Sequence, residues 1–204
     1  MNYKENLKKT YNKIAEDWHK DHQQDDWWIE GTNKFISLLG KNKKVLDVGC
    51  GAGFKSKYLV NHHLGVHGID ISDKMIELAK GEVPSAKFQV MDMEKIELQE
   101  KFDGIFAQAC LLHIPKKKAP GIIKYWVSFL KPKGYIYIAV KISNKGLGEE
   151  IIKENDYGYE YERFFSFYTK DEIEKYLRDA GLEVIYSTIA FSGHTNWIQT
   201  IGKK

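Results

Sequence analysis

Residues 43–59, KKVLDVGCGAGFKSKYL, run from charged residues through an apolar strand into three glycines and then an apparent helix. Glycines between a buried strand and a helix let backbone N–H groups close on a ligand at the helix N-terminus. The stretch therefore predicts an α/β core with a nucleotide-like ligand at one edge of its sheet. NAD, ATP and S-adenosylmethionine all use such turns. A dinucleotide fingerprint needs glycine at the first, third and sixth positions; counting from Gly49, the third is Gly51 but the sixth is Phe54. A phosphate-binding loop needs Gly-Lys-Ser/Thr after four intervening residues, and none is present. What remains is an acid, Asp47, two residues before Gly49-Cys50-Gly51-Ala52-Gly53.

The pattern on either side of this turn sets the rest of the expected fold. Leu7, Tyr11, Ile14, Ala15 and Trp18 recur at helical spacing, so the first forty residues read as helix. HKDHQQDD breaks it, and residues 27–39 predict a second helix ended by Gly40. Alternation then takes over, with strands at KVLDV, GVHGID (65–70), KFQVM (87–91), FDGIFA (102–107) and GYIYIAV (134–140). Helices are expected between them at 54–62, at 73–80 with Ser72 as N-cap, and at 117–130, where Pro120 sits near the start. Strand–helix alternation predicts a parallel sheet covered by helices on both faces. After strand five comes an aromatic, acidic stretch, GLGEEIIKENDYGYEYERFFSFY. Thr169 and Glu172 then form a capping box that opens a helix ending at Gly181. LEVIYSTIAF and NWIQTIG, joined by SGH, predict a closing antiparallel hairpin.

VLDVGCGAG resembles the first motif of the class I S-adenosylmethionine-dependent methyltransferases, and further family motifs follow in order. GIDIS ends strand two, VMDME ends strand three, FDGIFAQACLLHI matches strand four, and FLKPKGYIYIAV matches the approach to strand five, with Lys133 where the family has its first glycine. The resemblance spans about residues 10–204. It implies a Rossmann-like, seven-stranded, mostly parallel sheet of order 3-2-1-4-5-7-6 with strand seven antiparallel, and S-adenosylmethionine as cofactor, with S-adenosylhomocysteine as product. It further implies that Asp70 binds the ribose hydroxyls and Asp92 the adenine amino group. Asp47, Gly49, Cys50, Gly51, Gly53 and Gln108 would surround the methionine part, while Ile71, Met75 and Met93 wall the adenine. TYNKIAEDW resembles the N-terminal segment that covers the site in small methyltransferases, with Tyr11 and Trp18 two helical turns apart on one face.

Methyl transfer is a direct displacement that needs alignment and exclusion of water more than acid–base help. His113, in LLHIP, is the histidine that motif position brings near the transfer site, and it is the candidate general base. His19, His22, His62, His63 and His67 read as surface residues.

The acceptor has to be inferred from the stretch after strand five. It carries Tyr157, Tyr159, Tyr161, Phe164, Phe165, Phe167 and Tyr168 among five glutamates and one aspartate, which suits a cationic or planar small molecule. Trp28, Tyr159 and Phe164 are the candidate substrate-binding residues. Two other functions stay open. IPKKKAP, LKPKG and an NWI ending like that of some wobble-uridine methyltransferases suit tRNA, and loss of catalysis would leave a cofactor-binding protein.

At 204 residues the chain is expected to be one domain: an N-terminal helical lid over 1–40, a cofactor core over 41–140, a substrate lid over 145–168, and a C-terminal helix and hairpin over 169–204. A net charge of +3 is too small to argue for nucleic acid. No apolar run approaches the roughly 18 residues of a membrane span, and the N-terminus has no apolar signal core. The two cysteines, Cys50 and Cys110, lack disulfide or metal-ligand spacing. These features predict free thiols, no metal, a cytoplasmic location, and a monomer or homodimer.

Overall fold

The computed structural model describes residues 3–22, 25–143, 146, 148–193 and 195–204. His194, in the expected SGH link, lies outside them. Helices α1 (Tyr3–Asp21) and α2 (Ile29–Leu39) precede the first strand, β1 (Lys44–Val48). The alternating core continues with α3 (Phe54–Asn61), β2 (Gly65–Asp70), α4 (Asp73–Glu82), β3 (Lys87–Val90), β4 (Phe102–Gln108), α5 (Ala119–Val127) and β5 (Leu130–Lys141). Strands β6 (Glu149–Glu154) and β7 (Tyr161–Ser166), helix α6 (Lys170–Asp179), and strands β8 (Glu183–Ser192) and β9 (Thr195–Lys203) complete the order.

Seven strands form one sheet in the order β3-β2-β1-β4-β5-β9-β8. From β3 to β5 every pairing is parallel, whereas β9 runs antiparallel to both β5 and β8. With β8 and β9 as the sixth and seventh strands of the core, this is the expected order. The local signals carry it. Ser72 accepts a hydrogen bond from the Met75 N–H at 3.1 Å, Thr169 and Glu172 make both bonds of their capping box, and Gly40 leaves α2 with φ 75°. Phe35 of α2 is fully buried against Phe106 and Tyr137, which anchors that helix on the sheet centre.

Strand five departs from expectation at its start. It begins at Leu130 instead of 134, because Leu130 already pairs with Phe102 before the register shifts between Phe102 and Gly104. Lys133, at the family's glycine position, takes φ 63°. A left-handed lysine costs roughly 1–2 kcal/mol, and the continuing β4–β5 ladder holds it there. The helix expected from residue 117 begins at Ala119, after a 3-10 turn over Lys116–Lys118.

The larger departure is β6 and β7. They pair with each other as a separate two-stranded sheet, from Glu149 opposite Ser166 to Glu154 opposite Tyr161. The aromatic, acidic stretch is a hairpin. An isolated hairpin is marginal in water, and this one is fastened to α1. The Thr10 hydroxyl donates to the Glu162 carbonyl at 3.0 Å, the Lys13 ammonium to the Glu160 carbonyl at 2.8 Å, and Tyr159 to the Asp17 carboxylate at 2.7 Å.

Candidate active site

The glycine loop disfavours side chains, by lack of space at Gly49 and by backbone angle at Gly51. Gly49 has φ 67°, and a Cβ there would stand 2.4 Å from the Cys110 Cβ, closer than real contacts allow. Gly51, at φ 53°, would carry its Cβ 3.6 Å from the Trp18 ring of α1. The loop is thus a bare backbone edge, with α1 lying over it. Beside it opens a cavity of about 1270 Å³, counted to its open mouth.

Asp70, at the end of β2, accepts from the Gly51 N–H at 3.0 Å and the Ser72 N–H at 2.9 Å. Burial raises its pKa while these N–H groups hold it down. Asp47, one residue before the end of β1, is 2% exposed with the Ser56 hydroxyl donating to it at 2.5 Å. Burial, and then the Asp70 charge, push its pKa to about 7 against the Ser56 bond and the Lys55 charge. A buried carboxylate whose cation, Lys55, acts on it only from beyond ion-pair distance is costly. Gln108 is also buried, and its side-chain oxygen has no partner. Both groups face the cavity. The described residues leave a carboxyl that titrates near neutrality and a carbonyl waiting for a donor at the ends of adjacent strands.

At the far end, Ile71, Met75 and Met93 line the cavity beside Asp92. The Lys4 ammonium of α1 lies 2.7 Å from the Asp92 carboxylate, and Glu94 bonds both Tyr3 and Lys118. The start of α1 is tied down on that side.

At the other end, the Tyr11 hydroxyl lies 2.7 Å from His113 Nε2, and His113 Nδ1 lies 2.8 Å from the Phe164 carbonyl of β7. A carbonyl only accepts, so Nδ1 carries the proton and Nε2 accepts from Tyr11. Burial, with help from the Arg163 and Lys141 charges, lowers the His113 pKa to about 3. The imidazole is neutral with its lone pair taken. Arg163 donates through Nε and one terminal nitrogen to Glu154, at 2.6 and 2.5 Å, and its other terminal nitrogen lies 3.5 Å from the Tyr11 oxygen.

His113 should reveal itself in acid. Its folded pKa lies below the ordinary 6.5, so as pH falls the unfolded chain takes up the proton first. Stability is lost from about pH 6.5 down toward 3. By pH 5.5 the loss should be about 1 kcal/mol. Asp47, with its raised pKa, acts in the opposite sense between pH 7 and its ordinary 3.8. Comparison with His113→Gln cancels that contribution. Thermal melting at pH 7.5 and 5.5 should show a smaller acid loss in the variant; equal losses would mean that His113 is not held neutral.

The cavity brings together Tyr11, Trp18, Asp47, Gly49, Cys50, Gly51, Asp70, Ile71, Met75, Asp92, Met93, Gln108 and His113. Four other expected site residues are not among its lining. Gly53 starts α3 at φ 84°, packed against Ala79. Trp28 turns into the core against Phe54 and Tyr58, where its indole N–H donates to the Asp25 carbonyl. Tyr159 is tied outward to Asp17, and the Phe164 ring packs beside Tyr3. Their neighbours Trp27, Arg163 and Phe165 line the cavity instead. Strand alternation and helix phase decide which of two adjacent residues faces inward. Two histidines also differ from expectation: His22 lines the cavity with its ring stacked on Trp18, and His67 is buried between Glu100 and Gln89. Lys55, Lys141 and Trp197 line the cavity although the sequence reading passed them over. A lysine at the second residue of a helix, unfavourable beside the helix dipole, was a usable signal for Lys55. Both cysteines are buried free thiols, and no metal-binding group of side chains occurs among the described residues. Nor is any helix among them long and apolar enough to cross a membrane.

Residues 45–134 match a family described as a methyltransferase domain. Among curated relatives, phosphoethanolamine N-methyltransferase 3 of Arabidopsis thaliana is 37% identical over 54% of this chain and 24% of its own length. A ubiquinone biosynthesis O-methyltransferase of Coxiella burnetii is 30% identical over 56% of each chain. The chain thus spans from about a quarter to about half of these relatives. Among solved structures, 1,6-didemethyltoxoflavin-N1-methyltransferase of Burkholderia thailandensis, with bound 1,6-didemethyltoxoflavin and S-adenosylhomocysteine, superposes with a TM-score of 0.79. It is 18% identical, and the match covers 99% of this chain and 88% of that one. The match over residues 45–134 identifies a methyltransferase domain there, and the chain as a whole has the class I fold of these methyltransferase structures.

Proposed function

We propose that the protein transfers a methyl group from S-adenosylmethionine to a nucleophilic O, N or S atom of a small molecule. The observation that carries this is the pairing of a buried Asp47, in no salt bridge among the described residues, with the unpartnered Gln108 oxygen beside a side-chain-free glycine loop. An ammonium group satisfies both, and the methionine end of this cofactor carries one. Asp70 has lone pairs left for two vicinal hydroxyls after serving the loop. Ile71, Met75 and Met93 offer an apolar slot for adenine, with Asp92 at its rim. When bound, the cofactor supplies an electrophilic methyl group on a sulfonium.

The chain's own part is to hold, orient and dry the site. Tyr11 and Trp18 close it from α1. Trp27, Phe165 and Trp197 take the substrate-facing role expected of Trp28, Tyr159 and Phe164. His113 holds the Tyr11 hydroxyl and the β7 backbone together, a positioning role that replaces the expected general base. Three of the five lysines that suggested tRNA are occupied: Lys116 pairs with Glu172, Lys118 with Glu94 and Lys131 with Asp103. Incubation with methyl-labelled cofactor and fractionated cell extract tests the reading. Label should enter the small-molecule fraction. Label in tRNA would support the RNA alternative, and cofactor binding without transfer would support a protein that has lost catalysis.

We read the chain as one domain in which α1 and the β6–β7 hairpin, fastened to each other, close over the cofactor as a single lid. Hydrogen exchange with and without S-adenosylhomocysteine should show protection rising together in residues 8–22, in 148–168 and at the glycine loop, with little change in β8 and β9. A response confined to the glycine loop would make the lid a fixed part of the packing.

A further inference from the structure

Two lysines that line the cavity have no carboxylate within ion-pair distance among the described residues. Lys141, the last residue of β5, places its ammonium 4.7 Å from the Phe165 ring centroid and 5.2 Å from that of Trp197. Lys55, from the first turn of α3, lies 4.9 and 5.3 Å from the Phe54 and Trp28 rings. Both line the cavity. Among the described residues, neither is in a salt bridge, whereas Lys4, Lys116, Lys118 and Lys131 each have a carboxylate within 4 Å. Arg163 does not share their position, because Glu154 takes two of its nitrogens and Tyr11 the third.

The acids nearby do not close the balance. Asp25 acts on both lysines from beyond ion-pair distance, and Asp47 acts on Lys55 while its own pKa is pushed to about 7. Glu154 also acts on Lys141 but is committed to Arg163. Burial lowers both lysines to about 8, with the Arg163 charge adding to the effect on Lys141, so both stay largely protonated near neutral pH. Desolvated cations without partners are costly, and a bound anion removes that cost. The walls around Lys141 are flat and apolar: Trp27 and Trp197 stack at 3.9 Å with their planes 8° apart, and Phe165 adjoins them on the cavity wall.

The acids that suggested a cationic acceptor serve elsewhere. None of the six carboxylates in 146–168 lines the cavity; this segment contributes Arg163 and Phe165 to it. Glu149 accepts from the Lys116 N–H, and Asp156 from the Tyr161 hydroxyl.

We propose that the acceptor end binds a planar organic anion of the aromatic carboxylate class, with its carboxylate on Lys141 and its ring against Phe165 and Trp197. This rests on the methyltransferase reading, because it takes the glycine-loop end of the cavity as the cofactor's. The cofactor's own carboxylate has the same chemistry, so the test must separate the two sources.

Benzoate, benzyl alcohol and benzylamine share one ring and differ in charge. Each is titrated calorimetrically into the protein saturated with S-adenosylhomocysteine, and S-adenosylhomocysteine is titrated by itself. Benzoate should bind at least roughly tenfold more tightly than the other two. Lys141→Gln should abolish that preference, Lys141→Arg should keep most of it, and S-adenosylhomocysteine affinity should stay within about twofold in both. A thermal melt confirms that each variant is folded. Benzoate binding no better than benzyl alcohol or benzylamine, or not binding at all, overturns the proposal. So does a Lys141→Gln variant that loses affinity for S-adenosylhomocysteine, which would assign the lysine to the cofactor's carboxylate. If the wild-type protein binds no S-adenosylhomocysteine, the methyltransferase reading itself fails, a result distinct from the loss of benzoate preference alone.

Discussion

Replacing Asp70 with alanine is expected to weaken S-adenosylhomocysteine binding by about 1.5–3 kcal/mol, which is roughly 10- to 150-fold in Kd. Two losses combine in that figure. The ribose hydroxyls lose a charged acceptor, and the Gly51 and Ser72 N–H groups lose the carboxylate that holds the loop against the end of β2. The second loss makes asparagine a poor substitute. Its amide nitrogen is a donor, so one of the two backbone N–H groups would face another donor instead of an oxygen. Calorimetry on Asp70→Ala and Asp70→Asn should find both variants weak, with alanine the weaker. Unchanged affinity in Asp70→Ala would take this residue out of the cofactor site.

The Arg163–Glu154 pair should dominate the stability of the hairpin. Its side chains are 12% and 17% exposed, so removing either partner leaves a largely buried charge uncompensated. Breaking a buried pair costs roughly 3–5 kcal/mol, and the partial exposure here favours the low end, about 3 kcal/mol. Because β6 and β7 form their own two-stranded sheet, the loss should appear first as local opening, before global unfolding. In Arg163→Leu, amide exchange over residues 149–166 should rise steeply. The double variant Arg163→Leu with Glu154→Leu should recover much of the protection, since no unpaired charge remains. If the double variant is as open as the single one, the pair is held for its geometry and the charge argument fails. Tyr11 would feel the change as well, because Arg163 is its second polar neighbour after His113.

Much of this protein was legible residue by residue. The T-x-x-E box at Thr169, the Ser72 cap and the Gly40 stop act within three or four residues, and each formed as its local chemistry requires. The β6–β7 hairpin was not legible in the same way. β6 alternates exposed with half-buried residues and β7 does not alternate at all, holding only buried and half-buried ones, and aromatic residues crowd the connection. Its fastening depends on Thr10, Lys13 and Asp17, which lie some 140–150 positions away in the chain. His113 shows the same division. Its motif position put it at the cavity, but the partners that take up its two ring nitrogens are Tyr11 and the Phe164 carbonyl, 102 and 51 residues distant.

The sequence by itself determined the alternating core, the glycine loop and the acids at the ends of β1, β2 and β3. Each of these follows from a period of two or 3.6 residues, or from a backbone angle that glycine adopts freely. Only the tertiary structure decided which side chains close the cavity and what charge they present. Arg163 and Phe164 differ by a single step of strand phase, and Trp27 and Trp28 by one step of the turn that enters α2. Packing sets that phase, and with it whether a lysine such as Lys141 meets a carboxylate or an open cavity.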